Sequence, residues 1–183
     1  MSGKLLRTLR LDESDALVFP VAAAPGEWAV PGGFAFWDDA PASLSGKRQQ
    51  AFRSGFLGLS SFGWSTLVEV AECGAAERAA ALRALAAHIR EAYGAPDDAA
   101  ATGAAEEELG FAESLCRDQP AGTVLALHRS HDKGGEQREA FRTLHRREVP
   151  HRDFGALPVF AIAEVEEEAE ERPDLAALLK DRK

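Results

Sequence analysis

Along this 183-residue chain, the spacing of apolar residues switches between the two-residue period of strands and the 3.6-residue period of helices. KLLRTLRL (4–11) alternates well enough for a half-exposed strand, with Leu5, Leu9 and Leu11 on one face. ALVFPVA (16–22) and EWAVPGGFAFW (27–37) flank APGE, where Pro25 and Gly26 suit the centre of a type II turn, so the two read as a hairpin. Pro31 and the Gly32-Gly33 pair interrupt the second strand and imply a bulge or bend. A helix of about three turns is expected over 41–55, capped by Ser43 or Ser45. STLVEVAEC (65–73) is rich in β-branched residues and reads as a strand.

The most regular helical spacing lies in 76–94, where Leu82, Leu85, Ile89 and Tyr93 recur on one stripe and Gly94 and Pro96 mark the stop. A linker (95–103) leads to a second helix over 104–117, with Leu109, Ala112, Leu115 and Cys116 inward. In GTVLALHRS (122–130) the unbroken apolar run Val124–Leu127 predicts a central strand covered on both faces. GEQREAFRTLHRR (135–147) reads as an amphipathic helix with Phe141 and Leu144 inward. LPVFAIAEV (157–165) reads as a further strand and residues 172–183 as a short helix. Together these predict one α+β domain over 1–183. Its sheet, mixed or antiparallel, has five to six strands, with helices mainly on one face and an acidic tail from about 164.

Composition narrows the function classes. No apolar run approaches the ~20 residues of a membrane helix, and the longest run in MSGKLLRTLRLDES is two leucines, too short for a signal peptide. A cytoplasmic protein that does not enter membranes is expected. The net charge of −9 argues against nucleic-acid binding, which needs Lys and Arg to meet phosphates. Cys73 and Cys116 end apolar segments and read as buried small residues. Charge is uneven: between His128 and Arg152 seven Lys/Arg stand against four Asp/Glu, while six of the eight residues 164–171 are glutamate.

Three places carry candidate chemistry. RSGFLGLSSFGWSTLVEV (53–70) is glycine-rich, but its glycines follow a helix and precede a strand, the reverse of a phosphate-binding loop. One reading makes Gly55 or Gly58 a left-handed helix end, with the aromatics packed into the core. The other makes a pocket lined by Phe62 and Trp64, with Ser60, Ser61 and Ser65 as its polar groups. His128, His131 and His145, beside Asp132, form the second candidate, for a hydrolase or transferase, although on a strand His128 and His131 point to opposite faces. The third is the stripe Arg138, Arg142 and Arg146, which at helical spacing could meet a protein partner or a small anionic ligand. No cofactor motif and no metal motif such as HExxH is present.

LDESDALVF, PGEWAVPGGFAF, GFLGLSSFGWSTLVEV, TVLALHR and REAFRTLH resemble segments of a small bacterial family known only as a domain of unknown function. The resemblance covers most of the chain and assigns no residue a role. It implies an accessory function, since such proteins are encoded beside lipoate-ligase-like and molybdoenzyme-maturation proteins. Two readings follow. One is a non-catalytic accessory or binding protein, assisting maturation of a cofactor-containing enzyme. The other is a small enzyme built on the histidines.

Overall fold

The computed structural model describes residues 3–144. In chain order they form β1 (Gly3–Leu9), α1 (Ser14–Val18), β2 (Trp28–Val30), α2 (Gly46–Ser54), β3 (Phe56–Gly58), β4 (Trp64–Ser65), β5 (Leu67–Cys73), α3 (Ala75–Tyr93), α4 (Asp98–Cys116), β6 (Val124–His131) and β7 (Gln137–Leu144). Short 3₁₀ turns cover Gly33–Phe36 and Pro41–Ser43. The fold is α+β, with one antiparallel sheet in the order β4-β3-β2-β1-β5-β6-β7. Among the described residues its strands number seven, slightly more than expected. The expected strand at 157–165, the terminal helix and the acidic tail lie outside the described residues. Among the described residues no helix is long and apolar enough to cross a membrane.

Register decides which side chains form the core. Leu6 pairs with Val70, Val68 with Leu125, Leu127 with Phe141 and Arg129 with Glu139, which puts all of them on one face. α2 and α4 both cover that face: Arg129 bonds to a carbonyl of α2, and Phe141 meets Phe111 of α4 edge-on at 5.7 Å. α4 turns Ala101, Ala105, Leu109, Ala112 and Cys116 inward, and the small alanines let it lie close to β1 and β2. α3 packs along α4, fastened by Arg78, which bonds to both Glu106 and Glu113, and by the Arg90–Asp98 pair.

Several expectations need correction. β6 has neighbours on both sides, but of the run Val124–Leu127 only Leu125 and Leu127 are buried, while Val124 and Ala126 on the other face are half-buried. The apolar run merged a core face with a partly open one. Residues 16–22 do not form a hairpin strand. Asp12 Oδ1 accepts the Ser14 N–H, and buried Asp15 accepts the Thr66 N–H and hydroxyl, which together hold α1 as a short helix. β2 pairs with β1 and β3 instead, although Gly26 has the positive φ (83°) expected of it. Leu11 is 75% exposed, beyond the end of β1. The linker before the second helix is itself helical from Asp98, because Asp97 Oδ1 caps it by accepting the Ala100 N–H at 2.7 Å.

The largest change is β7, a strand where a helix was expected. Asp132 builds the turn that returns the chain. Its Oδ1 accepts the N–H groups of Gly134 and Glu136, its own N–H reaches the Glu136 carbonyl, and Gly135 takes φ 83°. Pairing from His131↔Gln137 to Val124↔Leu144 then outweighs the helical propensity of REAFR. Phe141 faces inward as expected, but Leu144, three positions on in the strand, pairs with Val124 on the other face.

Gly55 and Gly58 do not end a helix in the left-handed region. Gly55 has φ −92°, and Gly58 lies in β3 without a positive φ. The positive φ in this stretch belongs to Phe62, at 52°. The glycines are required by space. A Cβ on Gly55 would stand 2.7 Å from the Ala51 carbonyl oxygen and 2.8 Å from the Trp64 ring, and one on Gly63 would stand 2.5 Å from the Ala22 carbonyl carbon. Gly63→Ala should therefore cost about 1–3 kcal/mol or more, because backbone cannot yield as a side chain can. Gly103→Ala, in α4 with nothing within 4 Å, should instead stabilise by ~0.5–1 kcal/mol. Urea midpoints of the two variants, moving in opposite directions, check both.

Candidate functional site

The alternation of β6 carries a charge into the core. Leu125, Leu127 and Arg129 share the inward face, and Arg129 is 0% exposed. Its guanidinium donates from Nε to Glu139 Oε1 (2.8 Å), from one terminal nitrogen to the Phe52 carbonyl (2.7 Å) and from the other to the Pro31 carbonyl (2.8 Å). Phe52 lies in the last turn of α2, whose carbonyls have no partner within the helix. The rings of Phe36 and Phe52 stand 5.5 and 5.8 Å from the guanidinium carbon. Burial lowers the Arg129 pKa and Glu139 opposes that, but a guanidinium keeps its charge in any such setting. One side chain thus joins β6, β7, α2 and the segment after β2.

That segment forms one wall of a cleft. Gly32 takes φ 75° and gives its N–H to Glu108 Oε1 of α4 at 2.7 Å. Gly33 lies against the ion pair, where a Cβ would come within 2.7 Å of Glu139 Oε1. Held at both points, the following 3₁₀ turn presents Phe34 and Trp37 to α3 and α4. Between them is a cavity of about 310 Å³, lined by Phe34, Trp37, Ile89, Tyr93, Ala95, Ala104, Glu107 and Glu108. Phe34 meets Tyr93 edge-on at 5.2 Å, and Trp37 is 70% exposed at the rim. Burial pushes the Glu108 carboxyl above its ordinary range, more than the Gly32 N–H and Arg129 draw it down, and Glu139 adds to the rise. Burial also raises the Tyr93 phenol.

The glycine-rich stretch does cradle an anion, one supplied by the chain itself. Buried Glu27 accepts the N–H groups of Ser60 and Ser61 at one oxygen (2.9 Å each) and of Ala24 at the other (2.6 Å). Burial alone would raise its pKa, but hydrogen bonds from Ser61, Ser60 and Ala24 together hold it below the ordinary value. Gly58 is the close neighbour of this carboxylate, since a Cβ there would lie 2.5 Å from Oε2. Trp64 and Ser65 are buried. Trp64 packs on Phe36 at 5.0 Å, and Ser65 donates to the Leu67 carbonyl. Phe62 stacks on His88 at 3.7 Å, and His88 meets Tyr93 edge-on, so an aromatic chain runs from this loop to the cleft. His88 was not singled out from sequence, and Gly32 was read only as part of a bend.

Among the described residues, the two candidate histidines of β6 point apart. His128 is exposed on one face of β6, and half-buried His131, on the other, stacks on Phe52 at 4.5 Å. Asp132 is held by its turn and by Arg138 at 2.9 Å. Arg138 and Arg142 share the outward face of β7, at strand spacing, and Arg138 is already paired with Asp132. His145 and Arg146 lie outside the described residues. Among the described residues no three His, Cys, Asp or Glu side chains are placed to hold a metal ion. Both cysteines are buried, and burial pushes the Cys116 thiol up to about 12, which leaves it protonated and unreactive.

Arg129→Met should cost about 3–5 kcal/mol, because it leaves Glu139 and two carbonyls without their buried partner. Adding Glu139→Leu should recover part of that loss, measured by denaturant unfolding. For Glu108 the sign is the reverse of an ordinary ion-paired acid. Its folded pKa lies above the usual 4.5, so its contribution is complete below that pH and is lost as pH rises through the folded value. Glu108→Gln keeps an acceptor for Gly32. It should gain stability relative to the parent as pH is raised from about 4.5 toward neutrality, read from melting temperatures across that window.

No curated protein and no solved structure significantly matches the chain. A family model does, over residues 1–172, in keeping with the resemblance drawn from the sequence. The chain belongs to that family, a family of unknown function (DUF6505).

Proposed function

We propose that the protein is a non-catalytic binding protein that holds a small ligand in the cleft between the 33–37 segment and the α3–α4 pair. The observation that carries this reading is the cleft's composition: three aromatic rings and an apolar floor, with two carboxylates as its charged groups. Pockets of this volume with few polar groups are the usual form of small-ligand sites. The cleft's lining residues include no Ser, Cys, His or Lys, the commonest nucleophiles and bases of hydrolases and transferases. The placement of His128 and His131 on opposite faces of β6 gives the enzyme reading no support. An accessory role in maturing a cofactor-containing enzyme, implied by the resemblance, is the setting we assign to such a protein, with the cytoplasm as its place.

Titration with phenol, a small neutral aromatic probe, tests the site. Saturable NMR shift changes should centre on Phe34, Trp37, Ile89 and Tyr93. They should disappear in Ala104→Trp, which fills the cleft from the exposed side of α4. Shifts scattered over the surface, or unaffected by Ala104→Trp, would overturn the proposal.

A further inference from the structure

The class of ligand can be taken one step further, on the basis of the binding reading above. We infer that the cleft takes an organic cation, a quaternary or alkylated ammonium group carried on a short apolar stem. Aromatic faces carry negative electrostatic potential and attract such cations, and Phe34, Trp37 and Tyr93 supply three rings around one cavity. Glu107 and Glu108 add formal negative charge to its lining. The hydrogen bond given to Glu108 engages Oε1, the oxygen that accepts from Gly32.

The positive groups nearby are already committed. Arg48, whose charge is felt at Tyr93, donates to Asp39 at 2.5 and 3.0 Å and to the Ala35 carbonyl, and lies over Phe36. Arg129 lies behind Gly33 and is bound to Glu139 and two carbonyls. Asp39 and Glu139 add no positive charge. An anion entering the cleft would therefore face two carboxylates, with no cation among the lining residues. A neutral occupant would leave the Glu108 carboxylate desolvated without a counter-charge. A cation relieves that cost, which fits the rise that burial imposes on this carboxyl. Ile89, Ala95 and Ala104 supply the apolar surface for the stem.

Choline and 3,3-dimethylbutan-1-ol have the same shape and differ in charge, so comparing them isolates the inference. Calorimetric titration should show choline binding at least roughly tenfold more tightly, with its affinity reduced by added salt. Trp37→Leu and Glu108→Gln should each weaken choline roughly tenfold, with circular dichroism melting curves confirming that both variants fold. Glu108→Gln should leave the alcohol within about twofold. Equal affinities, or binding of phenol with neither of the pair, would overturn the cation assignment and leave the binding site standing. Failure of all three compounds would remove the site itself.

Discussion

A guanidinium placed where a leucine would be expected holds the parts of this fold together. Arg129 continues the inward series of Leu125 and Leu127, and each of its donors reaches a different part of the chain. Burying a charge is tolerable only when its hydrogen-bonding capacity is met. That requirement fixes three things at once: where α2 ends, how the chain leaves β2 at Pro31, and which residue of β7 stands opposite. The register Arg129↔Glu139 is thereby tied to the position of the 33–37 segment. An apolar side chain would fill the same space but could not specify those three partners.

The parts of the fold that could be read from sequence are those in which local pattern and tertiary environment agree. α3 shows this best, since its 3.6-residue stripe, Gly94 stop and amphipathic face point to the same helix. β1 and β5 were read as strands and pair along their whole length in the sheet, although in β1 Leu5 and Leu6 are both buried, where one face with Leu5, Leu9 and Leu11 was expected. Where local propensity and pairing disagree, pairing wins. Residues 137–144 contain good helix formers, yet Gln137, Glu139, Phe141 and Thr143 alternate with exposed Arg138, Ala140 and Arg142. The DKGG preceding them is the hairpin signal that would have resolved the choice. In 16–22 an apolar run was indistinguishable from a strand, because the bonds from Asp15 to Thr66 join residues about fifty positions apart.

The cleft was less legible, for a related reason. Its residues come from the turn after β2, the end of α3 and the middle of α4, and no spacing rule links them. Trp37 was read as the end of a strand, and Glu108 drew no reading of its own. Sequence gave a weak sign in the Pro31-Gly32-Gly33 interruption, read as a bend. The bend is present, and its purpose is proximity: Gly32 approaches α4 and Gly33 approaches the Arg129–Glu139 pair. Of the two readings of the stretch around Trp64, packing into the core is the one Trp64 follows, because the small residues beside it let backbone and ring close together.

The loop that carries Ser60 and Ser61 has the donors of an anion receptor, and Glu27 occupies it from β2's own approach. A tethered carboxylate competes at an effective concentration of millimolar or more, at no cost in lost translational freedom. Free phosphate or a nucleotide would have to evict a group that is always at hand and buried with its bonds complete. The receptor is thus permanently self-inhibited, and its binding energy goes to bracing the entry to β2. Among chains with such glycine-serine loops, the question to ask first is whether an acid elsewhere in the same molecule already fills them.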